Sequence, residues 1–284
     1  MLELPAPAKL NLFLHVTGRR PEGYHELQTC FQLLDYGDRI RLSEESAGRI
    51  LREGGLPGLP PEQDLAVRAA RRLREATGIR RGVRISVEKR IPAGGGLGGG
   101  SSDAATVLVG LNRLWSLGLS PDELSAIGLA LGADVPVFVH GRSAWAEGVG
   151  ERLQPIELPE RWYLVATPDV AVSTAEIFQA PELTRNTPPI TISAFRAGAG
   201  RNDCQPVVAK RYPQVAELIE RLSEFAPARM TGTGASVFCA FENEDEARRA
   251  CLALPPRVRA FVARGVNVSP LHRALSEARA APRG

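Results

Sequence analysis

The chain has 284 residues, 44% of them hydrophobic and 24% charged, with a net charge of +3, the balance of an ordinary globular protein. That surplus is too small to imply nucleic acid, and no basic face alternates with aromatics. No apolar run nears the roughly 20 residues of a membrane span.

The N-terminus shows no basic-then-apolar leader. Cys30, Cys204, Cys239 and Cys251 lie far apart, without metal or redox spacing. Four histidines show no zinc spacing. The expected setting is a cytoplasm that keeps thiols reduced. Lysine occurs only at Lys9, Lys89 and Lys210 among 35 basic residues, so Lys9 stands out as a compact ammonium in a chain that otherwise writes arginine.

Leu10 to Val16 alternates strictly, which predicts a strand with Leu10, Leu12, Leu14 and Val16 on one face and Lys9, Asn11, Phe13 and His15 on the other. A second strand is predicted at Arg39 to Leu42. Asp64 to Thr77 reads as a helix capped by Asp64 and stopped by Gly78. The strand Val83 to Val87 leads into a glycine-dense loop, and an apolar stripe from Ala104 to Trp115 predicts the helix behind it, with Ser101 or Ser102 as N-cap. Ser120 and Pro121 open a further helix that ends at Gly132. Val135 to His140 and Ser143 to Glu147 read as strands joined at Gly141.

The polar stretch Gly148 to Glu160 suggests a boundary between domains spanning 1–152 and 153–270, with a small polar tail at 271–284. Beyond the boundary come a strand at Trp162 to Thr167, a short helix at Thr174 to Gln179 and a loop from Pro181 to Pro189. Asp203 to Phe225 reads as helix broken at Pro213. Then follow two strands around a glycine turn (Ala228 to Phe241), a helix at Asn243 to Leu254 and a strand at Ala260 to Val268. Mixed strands and helices in two halves predict an α/β or α+β pair of domains.

Pro92, Ala93, Gly94, Gly95, Gly96, Leu97, Gly98, Gly99, Gly100, Ser101 and Ser102 carry the most chemical information. Bare backbone N–H groups ahead of a helix N-terminus suit a phosphate tail. A flexible linker is the plain alternative, but a linker need not join a strand to a helix start. The lysine of a P-loop is missing between Gly100 and Ser101. A dinucleotide fingerprint is matched, without the acidic ribose contact that it needs. A mononucleotide triphosphate fits better.

Other residues have bland readings beside functional ones. Asp134, on a turn, could cap local N–H groups or point into a cleft. Lys9 and Asn11 could face solvent. Tyr24 and His25 could be core and turn, or a stacking platform beside a hydrogen-bonding edge. Thr231 to Ser236, with Gly232 and Gly234, could be a tight hairpin or a second loop facing the first.

In order along the chain, Pro7-Ala8-Lys9-Leu10-Asn11, Gly23-Tyr24-His25-Glu26, the Gly94 loop, Gly132-Ala133-Asp134-Val135-Pro136, Ser173-Thr174-Ala175-Glu176-Ile177-Phe178, Asn202-Asp203 and Thr231-Gly232-Thr233-Gly234 resemble the GHMP kinase superfamily of galactokinase, homoserine kinase, mevalonate kinase and phosphomevalonate kinase. Within it the phrases look most like the branch acting on a cytidine diphosphate-linked methylerythritol in the non-mevalonate isoprenoid pathway. The resemblance implies a two-domain architecture with the active site in the cleft between domains, ATP and Mg²⁺ as cofactors, and transfer of a phosphoryl group to the 2-hydroxyl. It implies Asp134 as base with Lys9 as partner, ATP on Pro92 to Ser102, and Ser102 touching magnesium. It implies Tyr24 and Phe178 around the cytosine, His25 on its edge, and Asn11 and Thr174 holding substrate.

Asp64 departs from the family's frequent Asn near the adenine, and an ionised carboxylate cannot donate. A monomer or weak homodimer is expected. A silent ligand sensor, a kinase of another small alcohol, and a dinucleotide oxidoreductase are the rival readings.

Overall fold

The structure, a computed structural model, describes residues 1–280. Its spine is a pair of long antiparallel strands, β1 (Leu2–Arg19) and β2 (His25–Glu45). Pro5 and Pro7 are tolerated in β1 because its outer side carries no ladder there, so the missing N–H groups break no pairing. On its other side β2 takes three antiparallel partners in turn: β5 (Ala144–Gly148) at Leu27 to Phe31, β10 (Arg259–Val266) at Leu33 and Leu34, and β4 (Gly82–Glu88) at Arg39 to Glu45. The described sheet runs β3 (Ile50–Gly54), β4, β2, β10, β7 (Trp162–Thr167), β9 (Val237–Phe241), β8 (Ala228–Met230), with β6 (Arg152–Pro155) on β5.

The predicted alternation of β1 holds only in part. Its register with β2 shifts between Pro7 and Lys9 and between Asn11 and Leu14, as bulges allow. The face predicted for Leu10, Leu12, Leu14 and Val16 is split: Leu10 and Leu12 pack in one apolar cluster, Leu14 and Val16 in another. Neither face of β1 is solvated at its centre: Lys9 and Asn11 are each 3% exposed.

Helix α1 (Leu65–Thr77) is capped as its sequence predicts. Asp64 accepts from Ala66 N at 2.8 Å, and Gly78 closes the far end at φ 71°. Helix α2 (Gly99–Leu114) starts earlier than expected. Gly98 is its N-cap, so Ser101 and Ser102 lie inside the first turns and cap nothing. Helix α3 (Pro121–Leu129) has the expected Ser120–Glu123 capping box.

The run Val135 to His140 is a helix, α4 (Val135–His140), and not the predicted strand. All of Val135 to Val139 is buried, so the run shows no periodicity, and Pro136 and the left-handed Gly141 bound one helical turn. Further on are α5 (Thr174–Gln179), α6 (Ile192–Arg196), α7 (Gln205–Arg211), α8 (Pro213–Ser223) and α9 (Glu244–Leu252), with the expected break at Pro213.

The last correction concerns the tail. Residues from Pro270 form α10 (Pro270–Ala280), and Leu271 is wholly buried among Val137, Val139, Ala144 and other members of the N-terminal core. Its polar look comes from the opposite helix face. The tail's final residues, 281–284, lie outside the described part. That core packs α1, α2 and α4 onto β1, β2 and β4, and a second core gathers α5, α7, α8 and α9 on β7 and β9.

Candidate active site

The glycine loop sits where β4 hands over to α2, and it lines a cavity of about 500 Å³. Gly94, Gly96 and Gly98 have φ between 68° and 73°, a region that side chains disfavour. The loop is bare for a second reason. A Cβ on Gly96 would collide with the Thr231 carbonyl oxygen, and one on Gly95 with Ser236 Oγ. At Gly98 it would meet the Phe138 ring at 2.9 Å and Lys9 Cε at 3.1 Å. Gly94, by contrast, faces open space.

Thr231 and Ser236, which crowd Gly96 and Gly95, belong to the second glycine turn. Ala235 N donates to Gly94 O and Ser236 N to Gly95 O, both at 3.2 Å. Thr231 Oγ1 donates to Gly96 O at 3.4 Å and accepts from Asn11 N at 2.8 Å. This turn joins β8 to β9, as a hairpin would, and it also clasps the loop and brings Gly232 and Thr233 to the cavity wall. Asn202 Nδ2 supports it from behind, donating to Met230 O and Gly232 O at 2.8 Å.

Lys9 lies at the meeting point. Its Nζ donates to Asn11 Oδ1 at 2.6 Å and Gly96 O at 3.0 Å, and stands 3.2 Å from Asp134 Oδ2. It also lines the cavity. Asp134 precedes α4 but accepts no capping hydrogen bond, so its carboxylate is free to serve the cavity that it lines. Asn11 Nδ2 is held by Thr29 Oγ1 at 3.0 Å. Ser101 lines the cavity. Ser102 does not, and its hydroxyl is buried without a hydrogen-bond partner.

The far wall comes from the C-terminal half. Thr174 Oγ1 and Thr233 Oγ1 are 2.8 Å apart and both face the cavity, as does Phe178. His25 stacks on Phe178, with centroids 5.0 Å apart and planes at 21°. Tyr24 is 66% exposed beside them and outside the cavity wall. The expected residues thus fall into two groups: loop, Lys9, Asn11, Asp134, Thr174 and Phe178 around one space, and Tyr24 with His25 at its rim.

Sequence reasoning passed over four residues. Lys89 lines the cavity and bridges two carboxylates, Asp38 and Asp103, at 2.7 Å from the latter's Oδ2. Burial pushes the Asp103 carboxyl up, against the opposing pull of Lys89. Asp38 Oδ1 also accepts from Arg90 N at 2.5 Å and Ile91 N at 2.7 Å, which fixes the backbone entering the loop. The rarity of lysine, which singled out Lys9, applied equally to Lys89. The fourth is Arg185, whose Nε donates to His25 Nε2 at 3.1 Å; among many arginines nothing marked it.

Asp64 lines the cavity, but both its oxygens are engaged, one by Ala66 N and one by Arg52 Nη1 at 2.8 Å. Among the described residues no group of three or more His, Cys, Asp or Glu is arranged to hold a metal. No described helix is long and apolar enough to cross a membrane.

Family profiles for the GHMP kinases N terminal domain and the GHMP kinases C terminal match residues 64–142 and 185–258. A 4-diphosphocytidyl-2-C-methyl-D-erythritol kinase of Halorhodospira halophila is 61% identical over 277 residues, covering 96% of each chain. One from Ectopseudomonas mendocina is 58% identical, covering 96% of this chain and 94% of the relative. A crystal structure of 4-(cytidine 5'-diphospho)-2C-methyl-D-erythritol kinase superposes with a TM-score of 0.82 at 38% identity, over 93% of this chain and 100% of that one. A mevalonate kinase structure at 18% identity and a TM-score of 0.67 shares the fold.

Proposed function

The chain belongs to the GHMP kinases, and on that premise we propose that it transfers the terminal phosphoryl group of ATP to the 2-hydroxyl of 4-diphosphocytidyl-2-C-methyl-D-erythritol. It is an ATP-dependent phosphotransferase with an alcohol as acceptor. The observation that carries the finer reading is one cavity lined by the phosphate loop, Asp134 and Phe178 together, as a kinase joining a triphosphate to a nucleotide-linked alcohol requires.

The loop N–H groups and the start of α2 hold the phosphates, and the left-handed glycines let the chain approach them. Asp134 orients the hydroxyl. Phosphoryl transfer has a loose transition state that asks little of its nucleophile, so Asp134 accepts the proton late. Lys9, desolvated and tied to Gly96 O and Asn11, offers a fixed positive charge beside the reacting oxygens. Phe178 and Tyr24 take the cytosine between them, with His25 on its edge, while Asn11 and Thr174 hold the rest.

Magnesium is implied by the triphosphate itself, whose oxygens together with water would supply most of its ligands. Ser102, buried outside the cavity, does not fit as its ligand, and the ion would act by neutralising phosphate charge.

The halves are proposed to divide at 152/153, a step that falls within β6, the strand paired with β5. A cytoplasmic setting is supported by four free cysteines, of which Cys30, Cys204 and Cys239 have thiols that burial pushes up to about 12. ADP release measured with the cytidine substrate, mevalonate and homoserine tests the reading. Turnover confined to the first is expected; equal or faster turnover of either other alcohol would overturn it.

A further inference from the structure

Arg185 fixes the chemistry of a ring that reads a base. A guanidinium carries only donors, and its Nε points at His25 Nε2 at 3.1 Å. Nε2 must therefore hold a lone pair. The imidazole is neutral and its proton sits on Nδ1. Burial disfavours the imidazolium here, and the positive charges of Arg185 and Arg19 act in the same direction. Among the described residues Nδ1 has no protein partner.

The guanidinium itself cannot drift. Nη1 donates to Leu183 O at 3.0 Å, and Nη2 to Phe178 O at 2.9 Å and Ala180 O at 2.6 Å. One cation thus anchors both the backbone of Phe178 and the ring nitrogen of His25, which stacks on that same residue's phenyl ring.

We propose that Arg185 is a positioning residue for base selection: by keeping His25 Nε2 an acceptor, it makes Nδ1–H a donor that matches the acceptor N3 of cytosine and opposes the N3–H of uracil. The role rests on the cytidine reading above. It adds rejection to recognition, because two facing N–H groups leave both donors unpaired.

The test uses the full chain with ¹⁵N-labelled histidine and two substrates that differ only in cytosine or uracil. In the native protein His25 should show a protonated Nδ1 and an unprotonated Nε2. In Arg185→Met the proton should move toward Nε2. The cytidine-over-uridine ratio of kcat/KM should fall by about tenfold to a hundredfold through KM for the nucleotide substrate, with KM for ATP unchanged. Arg185→Lys, which still donates, should restore part of the ratio and the native nitrogen signature. In a His25→Ala background Arg185→Met should lower the ratio no further; a second fall would mean that Arg185 acts only by holding the loop. A native enzyme indifferent to the base overturns the cytidine reading and the role with it. Native discrimination that survives Arg185→Met, or a native Nε2–H signature, overturns the role of Arg185 alone.

Discussion

Lys9 Nζ and Asp134 Oδ2 are 3.2 Å apart, the lysine buried to 3% exposure and the aspartate open at 33%. The pair is one-sided: a sheltered cation holds a carboxylate that can reach a ligand. Asp134→Asn keeps the shape and removes the proton acceptor. Its kcat should fall by about 10²- to 10⁴-fold, while the ATP Kd measured by calorimetry stays near the native value. Unchanged turnover would take Asp134 out of the reaction.

Two loop glycines should respond differently to the same methyl group. Gly94→Ala meets nothing within 4 Å and pays only for its positive φ, about 1–2 kcal/mol. Gly96→Ala adds a collision with the Thr231 carbonyl and should separate the two glycine turns. Its Tm should drop further than that of Gly94→Ala and its ATP affinity should fall more. Equal losses in both variants would mean that the clasp does not shape the loop.

Asp38 is 1% exposed and binds Lys89, Arg90 N and Ile91 N at once. Removing one partner of such a buried pair typically costs about 3–5 kcal/mol. Asp38→Ala should show that loss in urea unfolding and should raise KM for ATP, because the chain entering the loop loses its anchor. A destabilised variant with native KM would confine Asp38 to the fold.

Tyr24 is an exposed aromatic with little to lose in the free enzyme. Tyr24→Ala should leave Tm nearly unchanged. Stacking against a base is worth about 1–3 kcal/mol, so KM for the cytidine substrate should rise roughly tenfold or more. Titration of the substrate at saturating ATP reads this directly, and an unaltered KM would remove the stacking role.

Acid should loosen the closing helix. Burial holds the His272 imidazole below its ordinary pKa, with His140 and Arg142 adding to that effect against the hydrogen-bonding pull of Val139 and Phe138. The fold therefore favours the neutral ring. The contribution is complete above the unfolded value near about 6.5 and is lost as pH falls through it toward the folded value. His15 is shifted in the same direction, chiefly by burial. Urea midpoints between pH 8 and pH 5 should decline toward acid, and less steeply in His272→Gln. Identical slopes would exclude His272 as a source.

Local chemistry made most elements legible. Asp64, Ser120 and Gly78 announce helix ends because each satisfies or terminates backbone groups within three residues. The loop's phosphate character was readable because six glycines in seven positions admit few structural explanations. The turn of Thr231 to Ser236 was visible as a turn, but its clasp on Gly94 and Gly95 depends on contacts across about half the chain.

Val135 to Val139 misled because complete burial erases periodicity. Ser101 and Ser102 looked like caps because the glycines before them gave no sign of where helical dihedrals begin. Arg185 and Lys89 stayed hidden for a common reason. Their meaning lies in partners at His25, Asp38 and Asp103, which no spacing rule connects.

The strand β10 pairs with β2 from the first half and β7 from the second, and the helix after it plugs Leu271 into the first half's interior. During synthesis the amino-terminal half therefore emerges with a gap in its core that waits for Leu271 of α10. A ribosome-stalled or truncated chain ending before Pro270 should stay vulnerable to proteases however long it waits.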